Sequence, residues 1–400
     1  MPPSSTLSAA TPQATGLYER LAALDPVVRA PDARREALDR FFRLKSRREK
    51  TGRFWRIDFD SIVPDPRSID QGFRLSVETG DPVVRALDLP AAAREHPAAL
   101  ARAMGATGIA AGKFGALADA FAARGVFIHV PADHACDEPI VIRYHADAAT
   151  AIFPYTVVLA ERGARVTIVE RLGAETQAFV CGATEIVTED HADVSYAVLQ
   201  QAKEGSRVIA LRAARPGRDA RIAWASADLG GELAAGELRV NITQPGAEAR
   251  LTALFFPRAS QHVDLVSTVE HEAGEASSET MVKSAARERG QARFLGNIRI
   301  APHAQGSDAR LRDDVLVLSP TAHVDSVPAL EIGANDVKAY HGATVGTIDE
   351  EQVFYMQSRG IDAAAAGRMI ALGFFEPAVE RFPSARLRDE IRAELAGKLS

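Results

Sequence analysis

The sequence predicts a mainly β protein, with a β-solenoid core at residues 124–348 between helical regions at 1–123 and 349–400. Two observations predict this order. Apolar residues recur at helical spacing in both flanking regions, whereas short runs of β-branched and aromatic residues fill the middle. There, a turn-like cluster precedes a strand with a nearly constant period of about 28 residues. The clusters begin at Ala135, Gly163, His191, Asp219, Gly246 and Gly274.

This repeat favours a solenoid over an antiparallel sandwich. Each period holds two strands and no helix, so one repeat cannot bury its own apolar face and neighbouring turns must stack. A sandwich also alternates strands and turns, but nothing in it requires one period to persist along the chain. Stacked turns leave unpaired backbone edges at both ends, and the flanking helical regions are placed to cover them.

The N-terminal region, residues 1–123, is expected to be helical. Two apolar stripes separated by Pro26 and Pro31 predict two short helices rather than one. An alanine-rich helical pattern then runs from Pro97 to Ala123, until Gly125 stops it. The two stripes consist of Leu17, Leu21 and Leu24, and of Leu38, Phe41 and Phe42.

Helix signals return in the C-terminal region, residues 349–400. Asp362 is expected to cap a helix that ends at Gly373, and Ser384 to cap a helix from Arg386 to Leu399. The last helix carries an apolar stripe that needs a surface, either the solenoid or a partner protein. The stripe consists of Leu387, Ile391 and Leu395.

Composition excludes several functional classes. With 47 Lys and Arg against 53 Asp and Glu, the net charge is −6, so we do not expect non-specific nucleic-acid binding. The only cysteines, Cys136 and Cys181, are too few for a disulfide framework or a four-cysteine metal site, and we expect both to be structural. The sequence has no signal-peptide pattern and no apolar run of about 18 residues, so we expect a cytoplasmic protein without membrane contact.

One segment resembles a phosphate-binding loop. The glycines and the lysine between Gly105 and Lys113 invite the comparison, but Thr107 stands where the motif requires glycine and Phe114 where it requires Ser or Thr. We therefore interpret the segment as a helix end or linker and expect no ATP site on this chain.

Three histidines near the end of the solenoid are candidate metal ligands. His303, His323 and His341 follow one another at similar spacings, in a stretch whose coils look shorter than the preceding ones. Because residues one coil apart can stack on one face, neighbouring imidazoles could share a metal. The alternative is three separate surface or loop histidines.

Several segments resemble the SufB/SufD family of iron-sulfur cluster assembly proteins. They include Pro328–Ile332, the segment DVKAYHGATVG at 336–346, and Ser358-Arg-Gly-Ile361. The HGATVG part is similar to the SufD branch. Lys113–Pro131 also resembles the family, and most of the chain from 113 to 375 is covered.

The resemblance implies a right-handed parallel β-helix and a complex with two partners. One is SufB, paired through the β-helix, and the other is the ATPase SufC, received by the C-terminal helical region. It implies that His341 lies at the SufB interface and helps to hold a transient iron-sulfur cluster or iron together with a SufB cysteine. Ala339 stands where SufD sequences often carry a cysteine. The resemblance also allows a reduced flavin in the complex.

The expected function is therefore that of a non-catalytic scaffold subunit in an ATPase-driven assembly complex. A β-helix enzyme is one alternative, such as a polysaccharide lyase or a hexapeptide acyltransferase. Lyases are generally exported and acyltransferases need a hexapeptide coil period, and neither feature is found. Another alternative is a purely structural subunit without a metal role. The sequence leaves open the cluster type and whether the isolated chain forms a homodimer.

Overall fold

The structure, a computed structural model, describes residues 12–45 and 57–400. Residues 1–11 and 46–56 of the predicted N-terminal helical region lie outside this description. The described helices are α1 (Pro12–Ala22), α2 (Pro31–Arg43), α3 (Leu89–Glu95), α4 (Pro97–Ala103), α5 (Lys113–Ala120), α6 (Glu350–Ser358), α7 (Ala363–Val379) and α8 (Ala385–Leu399), with 3-10 turns at Phe59–Ser61, Pro66–Ser68 and Ile109–Ala111.

Strands fill the middle of the chain. They are β1 (Phe73–Glu78), β2 (Arg85–Asp88), β3 (Gly125–Val130), β4 (Ile140–Ala146), β5 (Ala151–Ile152), β6 (Tyr155–Ala160), β7 (Arg165–Ala174), β8 (Phe179–Thr188), β9 (Asp193–Ala202), β10 (Arg207–Arg215), β11 (Arg221–Asp228), β12 (Leu233–Ile242), β13 (Glu248–Phe255), β14 (His262–His271), β15 (Ser277–Ala286), β16 (Gln291–Ile300), β17 (Ser307–Val317), β18 (His323–Ile332) and β19 (Val337–Gly346).

These strands form two sheets that face each other along a solenoid of about eight turns, as predicted. The 9-stranded sheet has the order β1-β4-β7-β9-β11-β13-β15-β17-β19, and the 10-stranded sheet runs from β18 through the even-numbered strands to β6, β3 and β2. All neighbours pair in parallel except β1 with β4 and β2 with β3. Apolar side chains from both sheets fill the space between them.

The sequence repeat marks one corner of each coil. At this corner a residue takes the left-handed backbone conformation, with φ between 53° and 71°, and a buried alanine follows it. Glycine adopts this conformation without strain, and Asp and His tolerate it better than most residues. The corner residues are Gly163, His191, Asp219, Gly246 and Glu275.

The expectation of shorter coils near the C-terminal end of the solenoid is wrong. Arg165 pairs with Asp193 in an early coil, whereas Gln291 pairs with His323 in a late one, so the sequence separation between in-register partners grows toward this end. The three histidines are separated by fewer residues than any coil contains, so they do not occupy equivalent positions of successive coils. His303 lies in a turn, His323 in the 10-stranded sheet and His341 in the opposite, 9-stranded sheet.

The prediction that the whole N-terminal region is helical is wrong at β1 and β2. Phe73, Leu75 and Val77 alternate with polar residues, a period of two that fits a strand with one face toward the core. Both strands pair antiparallel with strands of the solenoid and cover its first coil. The two short helices around Pro26 and Pro31 are confirmed as α1 and α2.

Two of the C-terminal helices, α7 and α8, pack on the 9-stranded sheet. Asp362 caps α7 as expected, but the helix continues past Gly373 to Val379 because Phe375 and Val379 pack against the solenoid. The apolar stripe of α8 is buried in the same cluster, beside Leu254. The stripe therefore docks on the protein's own body. None of the described helices is both long and apolar enough to cross a membrane.

Candidate functional site

His341 occupies a core position of the solenoid in its last coil. In the 9-stranded sheet, one row of in-register residues runs inside all the coils and ends at His341. Every earlier member is buried, whereas His341 is exposed because no further coil covers it in the described chain. The earlier members are Ile140, Ile168, Tyr196, Trp224, Leu251, Thr280 and Leu311.

The last coil exposes the ends of both sheets. β18 and β19 are the terminal strands, and neither contains a buried residue. Eight large hydrophobic side chains of the described residues are exposed, and six of them lie in this last coil and the following helices. They are Ile332, Tyr340 and Val345 in the last coil, and Phe354, Tyr355 and Met369 on α6 and α7. Exposed hydrophobic side chains concentrated in one part of a protein are typical of interaction sites.

A buried carboxyl group lies inside the solenoid one coil below this end. Asp313 is fully buried and accepts a hydrogen bond from the Ser326 hydroxyl, which reaches it from the opposite sheet. Burial raises the pKa of Asp313 to about 7, although the Ser326 hydrogen bond opposes this shift. The group can therefore exchange a proton near neutral pH. Asp313 pairs in register with Ala343, which lies two residues after His341 on the same inward face of β19.

A second polar group lies on the outer face of the same strands, under α7. Asp314 accepts hydrogen bonds from Lys283 Nζ at 2.8 Å and from Thr344 Oγ1 at 2.6 Å. Burial disfavours ionisation of Asp314, but these donors and Arg312 outweigh it and lower its pKa. The Lys283 ammonium also lies 4.4 Å from the Phe374 ring centre. These contacts connect the HGAT segment to the C-terminal helices.

The three predicted histidines do not come together. His303 is exposed in the turn between β16 and β17, 4.0 Å from Glu272. His323 begins β18 in the 10-stranded sheet, whereas His341 lies in the 9-stranded sheet. Of the residues that the structure describes, none brings three His, Cys, Asp or Glu donors together around His341.

Sequence reasoning missed Asp313, Asp314 and their donors. Its one available signal was the adjacent acidic pair directly before an apolar run, Asp313-Asp314-Val-Leu-Val317. Ala339, at the position of the frequent family cysteine, lies on the same inward face of β19 as His341 and pairs with Ala309. It offers no ligand atom.

The phosphate-loop-like segment has a structural role, as the sequence predicts. It connects α4 and α5, and the Lys113 ammonium donates hydrogen bonds to the backbone oxygens of Phe41 at 2.9 Å and Leu44 at 3.0 Å. A cleft of about 480 Å³ adjoins it, but none of the three histidines lines this cleft. Cys181 is buried, and its burial raises the thiol pKa well above the usual range, which fits the expected structural role.

Comparison with known proteins points to one family. The family described as SUF system FeS cluster assembly, SufBD core domain, matches residues 142–374. The chain is 30% identical over 285 residues to "Protein ABCI7, chloroplastic" from Arabidopsis thaliana, a match that covers 68% of this chain and 60% of that relative. The chain thus spans less than two thirds of that relative's length.

Two further relatives carry the name iron-sulfur cluster assembly protein SufD. The Escherichia coli protein is 33% identical over 171 residues, covering 43% of this chain and 40% of the relative. The Bacillus subtilis protein is 28% identical over 333 residues, covering 81% of this chain and 76% of the relative.

Proposed function

Because the chain belongs to the SufBD core family of iron-sulfur cluster assembly proteins, we propose that it is the SufD-like scaffold subunit of a complex with SufB and SufC. In this proposal it pairs with SufB through the last coil of the solenoid. It receives the ATPase SufC on its C-terminal helical region. His341 holds iron or a nascent cluster as cargo at the SufB interface, together with a SufB cysteine. The subunit itself catalyses no reaction.

The observation that carries this proposal is the uncovered last coil. A solenoid end presents unpaired backbone groups and the cross-section of its apolar interior, both of which a second solenoid end can satisfy. Tyr340 and Val345, on the terminal strand, are each 59% exposed. An uncovered terminal strand with exposed hydrophobic side chains favours pairing with another chain.

The position of His341 supports a role at that interface. Its row points into the solenoid, so a partner stacked on the last coil would meet the imidazole across the interior. A neutral imidazole ligates iron, and a thiolate from the partner supplies the soft ligand that this chain lacks there. Asp313 lies one coil deeper, and burial raises its pKa to about 7, so it can take up or release a proton and balance charge beneath the site.

The C-terminal helices offer a separate surface for SufC. α6 has no buried residue, and Phe354 and Tyr355 on it are 72% and 61% exposed. Met369 on α7 is also exposed, although the opposite face of that helix is buried on the solenoid. We therefore assign SufC binding to α6 and the outer face of α7. A reduced flavin is assigned to the complex and not to a site on this chain.

Co-expression with the cognate SufB and SufC tests the proposal. We expect the wild-type chain to form a complex on size exclusion that carries iron and sulfide. His341→Ala should leave the complex intact and strongly lower its iron and sulfide content. His303→Ala is the matched control, because this exposed histidine lies in a turn outside the inward row.

The outcomes separate the alternatives. An intact complex with unchanged iron and sulfide in His341→Ala would reduce the chain to a purely structural subunit. Failure of the wild-type chain to join SufB and SufC would refute the assignment, whether the chain then runs as a monomer or as a homodimer through the same open end.

Phe354→Ala should weaken SufC recovery while SufB pairing persists, and equal loss of both would contradict separate surfaces.

A further inference from the structure

The opposite end of the solenoid brings two connections side by side. Since β1 pairs with β4 and β2 pairs with β3, the β1–β2 and β3–β4 connections must cross the same edge of the first coil. The first carries Asp81, and the second carries His134 and Cys136. Residues far apart in the sequence therefore meet for topological reasons.

The donor atoms of these three side chains form a compact group. One donor atom from each of Asp81, His134 and Cys136 lies within 4.8 Å of the others. In residues 12–45 and 57–400 it is the one group of three His, Cys, Asp or Glu side chains that meets this distance. All three are half-buried, so solvent reaches the group.

The backbone holds this group in place. Asp81 Oδ1 accepts the backbone N–H of Val83 at 2.9 Å, which fixes the carboxylate in a turn. The Cys136 N–H donates to the Arg165 carbonyl oxygen at 2.9 Å, which ties this residue to the next coil. The three ligand atoms are therefore carried by anchored connections. A site on anchored backbone loses little conformational entropy on binding an ion.

We propose that Asp81, His134 and Cys136 bind one divalent cation of the zinc class. The ligands are an Asp81 carboxylate oxygen, the His134 imidazole nitrogen Nε2 and the Cys136 thiolate, with solvent in the fourth position. Nitrogen, sulfur and oxygen donors of this kind are the usual zinc set, and an open fourth position suits a partly exposed site. The ion links the capping strands β1 and β2 to the first coil.

The distances are compatible with a modest rearrangement. His134 Nε2 and an Asp81 oxygen are 2.7 Å apart, at hydrogen-bond distance. Nitrogen and oxygen ligands of a tetrahedral zinc ion are separated by about 3.3 Å, given bond lengths of about 2.0 Å. An ion must therefore open this pair by about 0.6 Å, which half-buried side chains allow. The charge also favours a cation, because Asp137 adds a second negative group near Cys136.

Cobalt titration of the full, metal-free chain tests this proposal. We expect one Co²⁺ per chain, with a near-ultraviolet thiolate-to-cobalt absorption band that Zn²⁺ abolishes on displacing the cobalt. Cys136→Ser should lose the band. Asp81→Asn and His134→Ala should weaken Co²⁺ binding at least about tenfold. Cys181→Ser is the matched control and should keep the band, because Cys181 is buried and lies outside the group.

Circular dichroism of each metal-free variant checks that it is folded. Added Zn²⁺ should raise the melting temperature of the wild-type and Cys181→Ser chains and leave that of Cys136→Ser unchanged. Absence of the cobalt band in the wild-type chain, or its persistence in Cys136→Ser, would overturn the proposal. The readouts need neither SufB nor SufC, so they stand apart from the test of the scaffold function.

Discussion

At the N-terminal end of the solenoid, β1 and β2 turn back antiparallel and cover the first coil, whereas at the C-terminal end β18 and β19 are followed by no covering strand in the described chain. The same interior row is buried at Ile140 and exposed at His341. Both ends face the same physical problem of unpaired edges and an open apolar interior. The first end is covered by strands of the chain itself, and the last coil is where we propose that SufB binds.

Under the proposed function, this comparison predicts which residues matter for folding and which for assembly. Phe127, on β3, is fully buried beneath the N-terminal helices, whereas Tyr340, on β19, is mostly exposed. Both are aromatic residues on a terminal coil. Their difference in burial predicts different consequences for the isolated chain and for the complex.

The largest effect is expected when a buried side chain is shortened to alanine at the covered end. Phe127→Ala should lower the free energy of unfolding by about 3–5 kcal/mol, because it removes a fully buried ring and leaves a cavity. Tyr340→Ala should change it by no more than about 0.5 kcal/mol, because more than half of this side chain is already exposed to water. Chemical denaturation of the isolated chains measures both. Similar losses for the two variants would show that the open end is closed in solution.

A pH-dependent effect is expected at Asp313, just below the open end. Its raised pKa means that the folded state holds a proton that the unfolded state loses between about pH 4 and pH 7. The free energy of unfolding should therefore fall as pH rises through this window, by at most about 4 kcal/mol. Asp313→Asn should remove this slope and be the more stable protein at pH 8.

The measurement is denaturant unfolding of Asp313→Asn and of the wild type at a series of pH values. The quantity compared is the difference between their free energies of unfolding at each pH. Burial lowers the pKa of His262 and of His271 to about 4, so these residues destabilise the fold as pH falls below about 6.5. Their contribution is the same in both proteins and cancels. Parallel curves for the two proteins would exclude proton uptake at Asp313.

A charge on the terminal strand should separate folding from assembly. Val345→Lys should leave the stability of the isolated chain nearly unchanged, because the side chain is exposed. It should weaken SufB binding at least about tenfold, or about 1.4 kcal/mol, because the proposed interface would bury an unpaired ammonium. Val83→Lys is the matched control at the covered end, where valine is 48% exposed. Equal weakening by the two variants would place the SufB interface elsewhere.

The sequence predicts the solenoid well because the same left-handed backbone conformation recurs at one corner of successive coils. Each coil needs a left-handed corner followed by a residue small enough to be buried, and this need recurs visibly from Gly163 to Glu275. His341 could be located by its motif and by its place at the end of the repeat. Its status as a core position without a cover could be found only from the strand register.

The rest could not be predicted because it depends on long-range pairing. β1 carries a period-two alternation, but nothing in the local sequence shows that β1 pairs antiparallel with β4, or β2 with β3. Asp313 meets Ser326 across two facing sheets, and Asp81 meets Cys136 across two connections. No local pattern encodes these contacts, since each depends on which strands become neighbours.

The smallest expected effect compares two helix caps. The Ser384 hydroxyl accepts the Leu387 N–H at 3.1 Å and begins α8, whose apolar stripe is buried on the solenoid. Asp349 accepts the Glu351 N–H at 2.9 Å and begins α6, which has no buried residue. Removing a cap costs about 1 kcal/mol of helix stability. Only the docked helix should pass this cost to the whole fold.

We therefore expect Ser384→Ala to lower the free energy of unfolding by about 1 kcal/mol and Asp349→Ala to leave it unchanged. In Asp349→Ala, amide hydrogen exchange should be faster in α6 alone, because a helix without buried contacts opens on its own. When SufC binds, α6 should become protected, and the cost of Asp349→Ala should then appear in SufC affinity. An equal loss of global stability in both isolated variants would mean that α6 is packed as tightly as α8, and the assignment of α6 to a partner surface would fail.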